Sequence, residues 1–164
     1  MTSITTCHAP GIHVRRYHAH DAQRCADVVR AAVTGMEELD AAARTLILDH
    51  ATVELLGAEL ARLVAMVAEQ GDAIVGVAAL DQDEIKRVYV HPSAQRKGAG
   101  RAMIALLERE AADRGLRAVH VVAGVDAAPF YTRLGYQRLH SGVHVNGNAR
   151  VPFVSLRKAL ATSP

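Results

Sequence analysis

The chain has 164 residues, half of them hydrophobic and 22% charged, with a net charge of +2. That length suits one domain with a full core, and so mild a charge excludes a nucleic-acid binder working through a basic stripe. Cys7 and Cys25 lack a second pair at ligand spacing, which excludes a zinc site, and no apolar run approaches membrane-spanning length. Met1–Pro10 lacks a signal-like apolar segment, so the expected setting is a reduced cytoplasm.

Met1 to Gly11 reads as a loose N-terminal tail and residues 159–164 as a C-terminal one, leaving 12–158 as a single domain. Ile12 to Tyr17 alternates apolar and polar side chains and suits a first strand. Asp21 is positioned to cap a helix carrying Cys25, Val28, Val29 and Ala32 at helical spacing. Gly35 to Asp40 interrupts it, and a second helical stretch runs from Ala41 to about Leu56. Leu63–Glu69 and Ile74–Leu80 read as strands joined by a turn at Gln70-Gly71-Asp72, though the Ala-rich first suits a helix as well.

Asp81-Gln82-Asp83 turns into a strand over Glu84–Val90, and His91–Ala94 link it to the loop Gln95-Arg96-Lys97-Gly98-Ala99-Gly100-Arg101. A helix from Ala102 to Arg114 follows, burying Met103, Ile104, Leu106, Leu107 and Ala111 and ending at Gly115. Ala118–Ala123 reads as a buried strand. Asp126 caps a helix over Ala127–Leu134 that Gly135 stops, and Tyr136–Leu139 closes the domain with Val151–Leu156. The resulting order, β-α-α-β-β-β-α-β-α-β-β, describes an α/β or α+β domain with a mixed sheet.

The loop carries the chemistry. Its two glycines let the backbone turn sharply and approach a ligand, and the helix behind presents unpaired N–H groups and the positive end of its dipole. That combination is a phosphate cradle. Arg96, Lys97 and Arg101 add charge, and no acidic residue lies between Glu84 and Glu108. Neither glycine is followed by the Lys-Ser/Thr pair of a P-loop, and Gly98-Ala99-Gly100 lacks the third glycine of a dinucleotide fingerprint.

The loop resembles the Q/R-x-x-G-x-G/A motif of the GNAT superfamily of acetyl-CoA-dependent N-acetyltransferases, and Val88-Tyr89-Val90-His91-Pro92 resembles its strand end. Downstream, Ala123-Gly124-Val125-Asp126-Ala127-Ala128-Pro129-Phe130-Tyr131-Thr132-Arg133-Leu134-Gly135-Tyr136 is similar to the family's A-S-x-x-A-x-x-F-Y-x-x-x-G-F, with Gly124 for Ser and Tyr136 for Phe. The resemblance covers Gly11 to about Lys158. It implies a GNAT-like N-acyltransferase fold: a mostly antiparallel sheet with a splayed central parallel strand pair, flanked by helices.

It also implies acetyl-CoA as co-substrate, with no metal. Val88, Tyr89 and Val90 would pair with the pantetheine amides, and Gln95, Arg96, Lys97, Gly98, Ala99, Gly100 and Arg101 would hold the pyrophosphate. Asp126 completes the expected cofactor set. Arg96, Lys97 or Arg101 would reach the 3′-phosphate, or form a solvated rim. Tyr131 would be the general acid, with Phe130 filling the core beside it. Glu84 is the candidate base, with water and backbone groups as the alternative, and Lys86, two residues on, would share its face and hold it charged or meet a substrate carboxylate.

His120 reads as a hydrogen-bonded core residue, and His140 and His144 as surface residues near the acceptor site. Glu37, Glu38 and Asp40 would suit a cationic amine or form a solvated loop. Compactness favours a small-molecule amine acceptor over a protein, with neither nucleic acid nor membrane as a partner, and a homodimer could be built from the last strands. The competing reading is a non-catalytic acyl-CoA-binding module.

Overall fold

The structure is a computed structural model and describes residues 8–161. Eight strands form one sheet: β1 (His8–Ala9), β2 (Ile12–Arg16), β3 (Val64–Gln70), β4 (Ala73–Asp81), β5 (Glu84–Val90), β6 (Ala118–Gly124), β7 (Gln137–Asn146) and β8 (Ala149–Ala159). Five helices accompany them: α1 (Ala22–Thr34), α2 (Ala41–Asp49), α3 (Val53–Arg62), α4 (Ala99–Asp113) and α5 (Ala128–Arg133). The strand order is β1-β2-β3-β4-β5-β6-β8-β7, antiparallel except where β5 meets β6. The expected mixed fold is therefore the observed one.

Two apolar clusters cover opposite faces of the sheet. One packs α4 against it through Met103, Ile104 and Leu107, and the other packs α1 and α3 through Val29, Val33, Leu56 and Leu60. β4 serves both, and its run Val75 to Leu80 is buried on both sides. That is why it reads as continuous apolar sequence rather than as an alternation.

Several elements differ from their sequence pattern. The helix expected over Ala41–Leu56 is two helices. Asp40 caps the first by accepting from the Ala43 amide at 2.7 Å, and Thr52 caps the second by accepting from the Leu55 amide at 3.3 Å. A second N-cap in mid-pattern ends one helix and starts another. Asp126 caps nothing: a short turn over Val125–Ala127 precedes α5, whose first turn carries Pro129 and so needs fewer amides satisfied. In the expected N-terminal tail, His8 and Ala9 pair with His13 and Ile12; residues 1–7, Cys7 among them, lie outside those described. The closing pair is a much longer hairpin than expected.

Asp21 does not cap α1 either. Its fully buried carboxylate accepts from both terminal nitrogens of Arg15 (2.8 and 3.0 Å), from the His18 amide (2.9 Å) and from Arg24 (3.1 Å). Burial alone would raise its pKa, but Arg15 and the His18 amide bring it down to about 2. This cluster ties β2 to the start of α1, away from the open part of the sheet.

Candidate functional site

The sheet opens where β5 leaves β6. Only two residue pairs join these strands in parallel, Glu84 with His120 and Ile85 with Val121. On the other side of β5 the register with β4 slips, from Ala79 opposite Lys86 to Val77 opposite Tyr89. The extra residue is a β-bulge, with Arg87 in the left-handed region at φ 56°. Such a conformation costs a non-glycine residue on the order of 1 kcal/mol or more. Two anchors hold it: Arg87 Nε and Glu59 Oε2 are 2.8 Å apart, and the guanidinium also reaches the His50 carbonyl at 3.4 Å. The bulge turns β5 away from β6 and leaves the β6-facing edge of Val88–Val90 without a strand partner.

Immediately beyond, His91 accepts from the Ser93 amide at 3.1 Å, and the Gln95 side chain donates to the Val90 carbonyl at 3.3 Å. These bonds fold the loop back over the end of β5. Arg96 and Gly98 are both left-handed, at φ 61° and 91°, and Gly98 is the N-cap of α4 without any side-chain cap. The first amides of a 15-residue helix are thus left for a ligand. At Gly100 a Cβ would sit 3.2 Å from the Phe130 ring, so the helix start, Val90 and Phe130 are already in close approach.

Two cavities meet at this opening. The first, about 620 Å³, is lined by Val88, Val90, Gln95, Arg96, Gly98, Ala99, Gly100, Arg101, Asp126 and Phe130, among others. Of the residues expected to hold the cofactor, Lys97 and Tyr89 are not in this lining. Lys97 is exposed and lines neither cavity, and strand alternation puts Tyr89 in the second cavity, about 550 Å³. That second space is walled by Leu39, Ile47, Tyr89, Val122 and Phe153, with Lys86 and Arg87 at one side. Met36, Glu38, Val88, Asp126, Ala127 and Tyr131 line both cavities.

Tyr131 lies at the junction and is 6% exposed, while Phe130 is only half-buried. This reverses the expected division, in which Phe130 filled the core. Tyr131 is held by edge-on contacts with Phe130 and with the ring of Tyr136, at 5.0 and 5.5 Å between centroids. Tyr136 in turn donates to Glu108 at 2.8 Å, and Lys158 also bonds that carboxylate. The Tyr131 hydroxyl has no hydrogen-bond partner among the described residues. Burial, and secondarily the neighbouring Tyr89 hydroxyl, raises its pKa well above the ordinary phenol value. Tyr131 therefore keeps its proton across the physiological range.

Glu84 is in neither lining. It sits where β5 and β6 still pair, 4.0 Å from His120 Nε2, and His120 Nδ1 is 3.6 Å from Asp83. His120 is accordingly half-buried among carboxylates rather than in the core. Lys86 does not hold Glu84 as expected: its amine lies 3.4 Å from Glu59 and 3.5 Å from Asp81. Of the acidic loop, Asp40 is consumed as a cap, Glu37 is outside both cavities and Glu38 faces both. His144 does reach the second cavity, stacked on Phe153 at 4.3 Å. Sequence reasoning missed Ile47, Val122 and Phe153 as wall residues and Glu59 as the partner of Arg87, since no local spacing links them.

Comparisons with known proteins agree with this geometry. A family model described as an acetyltransferase (GNAT) domain matches residues 37–158. No curated protein matches the chain in sequence. Among solved structures, the chain is similar to a GCN5-related N-acetyltransferase from Rhodopseudomonas palustris: 22% identity, a TM-score of 0.86, and coverage of 94% of this chain and 99% of that one. It is also similar to YncA from Salmonella typhimurium, solved with its cofactor acetyl-CoA, at 18% identity and a TM-score of 0.69 over 93% of this chain and 96% of that one. A third likeness is to the ribosomal-protein-S18-alanine N-acetyltransferase of Escherichia coli, at 15% identity and a TM-score of 0.65, with coverage of 93% and 96%. Identities this low speak for the fold alone. Among the described residues, no group of side chains could hold a metal ion, and no helix is long and apolar enough to cross a membrane.

Proposed function

The chain belongs to the GNAT acetyltransferase family, and on that premise we propose that it transfers the acetyl group of acetyl-CoA to a primary amine. The observation that carries this reading is the junction: a cleft with free strand edge and free helix amides meets a second cavity at one buried tyrosine. The cleft fits the donor. Its strand edge at Val88–Val90 suits pantetheine amides as a neighbouring strand would, and its helix start suits a pyrophosphate. Gln95, Arg96, Gly98, Ala99, Gly100 and Arg101 form the phosphate end, with Lys97 on its outer rim. YncA, with acetyl-CoA bound, supports the same assignment by its fold.

When bound, acetyl-CoA supplies the thioester that the amine attacks. The residues of this chain do the rest. The backbone of Val88–Val90 orients the donor, and the apolar walls exclude water from the junction. Glu38 and Asp126 face the junction from either side and favour an incoming ammonium, whose proton passes to solvent at that rim. As the new C–N bond forms and the C–S bond breaks, Tyr131 donates its hydroxyl proton to the departing sulfur; the acylated nitrogen gives up its extra proton to solvent, and solvent returns one to Tyr131. Burial weakens the phenol as an acid, and burial of a departing thiolate would likewise make it a stronger base. Glu84 is given no step, because it lines neither cavity and sits at the closed end where β5 and β6 still pair.

Release of CoA from acetyl-CoA by the purified chain, followed with a thiol reagent across amine classes, tests the reading. Amine-dependent release above the buffer rate is expected. CoA binding without release for any amine would instead make the chain an acyl-CoA-binding module.

A further inference from the structure

The geometry of the second cavity points to an acceptor of a particular kind: a small primary amine on an uncharged, apolar body, with neither a carboxylate nor a second ammonium at its far end. This rests on the transferase reading above and goes beyond it in naming the acceptor class. The two ends of the cavity differ. At the junction, Glu38 and Asp126 form no ion pair among the described residues, so the positive end of an acceptor belongs there. Away from it the walls are Leu39, Ile47, Val122 and the Phe153 ring. A charged group set against those walls would give up part of its hydration without gaining a partner from them.

The cations in the wall do not change this. Arg87 is 2.8 Å from Glu59, and Lys86 is shared between Glu59 at 3.4 Å and Asp81 at 3.5 Å. Both are already neutralised by carboxylates of the chain itself. They hold the bulge of β5 in place rather than wait for an acidic acceptor. The one other basic side chain of this lining, His144, is stacked on the Phe153 ring. Amines with a distal carboxylate therefore find no lysine or arginine free of a carboxylate partner, and polyamines find no distal anion. A cavity of about 550 Å³ has room for an aliphatic or single-ring body.

Three amines of one length separate these cases: hexylamine, 6-aminohexanoate and 1,6-diaminohexane. Their affinities are measured by calorimetry on the full chain saturated with CoA, so the result does not depend on turnover. Hexylamine is expected to bind at least about tenfold more tightly than either of the others. In Phe153→Ala its affinity should fall several-fold, while CoA affinity stays the same. In Glu59→Gln, which releases Lys86 and Arg87, 6-aminohexanoate should gain on hexylamine. Equal or tighter binding of 6-aminohexanoate or 1,6-diaminohexane to the unaltered chain would overturn the inference, as would no binding of hexylamine at all. If hexylamine binds as expected but no acetyl transfer follows, the acceptor class stands and the transferase reading falls.

Discussion

The two cavities that meet at Tyr131 are built in opposite ways. Much of the first, the proposed donor cleft, comes from one continuous stretch, Val88 to Arg101, and it offers backbone: a free strand edge and the first amides of α4. The second, the proposed acceptor cavity, is assembled from side chains of four separated segments, around Leu39 and Ile47, Lys86 to Tyr89, Val122 to Asp126, and His144 to Phe153. Backbone recognition tolerates changes of side chain, so the first cavity can stay constant while the second varies. A shared donor with divergent acceptors is what that construction permits.

The largest test of this contrast is at the group both cavities share. Tyr131→Phe should lower kcat by about 100-fold while CoA affinity is retained, as titration calorimetry beside the CoA-release assay would show. Unchanged turnover would remove Tyr131 from the chemistry and leave the two cavities without a common acid.

A contrast confined to the cavities also requires that the ion cluster at the far edge matter for stability alone. Because Asp21 titrates near 2 when folded and near 3.9 when unfolded, its ionised form favours the fold. That contribution, about 2 kcal/mol, is complete above pH ~4 and lost as pH falls toward 2. Asp21→Asn should lower stability at neutral pH and flatten the acid limb of a denaturation series, leaving CoA affinity as it was. A variant with weakened CoA binding would show that the sheet edge and the cleft are coupled.

Within the donor cleft, Gly98→Val should weaken CoA by about tenfold. A β-branched residue resists φ 91°, and its Cβ would lie 3.0 Å from Ala9. Normal CoA affinity in that variant would mean the loop geometry is not what binds. The matching change on the acceptor side is smaller. In Gly142→Ala the new methyl would lie 2.8 Å from the Phe153 ring, a wall of the second cavity, and force it to shift. The acceptor KM should rise about threefold with CoA affinity constant; a change in both would break the separation of the two sites.

The difference in construction also governs what could be read from the chain. Strand β5 ends at Val90 as its alternation and the following His91-Pro92 suggest, and the glycine loop opens α4 as its composition suggests. These features depend on neighbours in sequence. The break at Thr52 needed knowledge of which of several polar residues would cap, and the exchange of burial between Phe130 and Tyr131 needed the way α5 and Tyr136 pack on the core under α4. Glu84 is a candidate base only through the family resemblance. The two-residue pairing with β6 puts it on the closed side of the splay.

By itself, then, the sequence determined a strand, a glycine turn and a helix start in succession, whose free backbone groups are fixed by local conformation. Only the tertiary structure decided where β5 parts from β6, which tyrosine is buried at the junction, and that Lys86 and Arg87 are paired with Glu59 and Asp81. Those outcomes turn on contacts between segments dozens of residues apart. No local pattern encodes them, because the free energy that selects them appears only when the sheet and helices have packed.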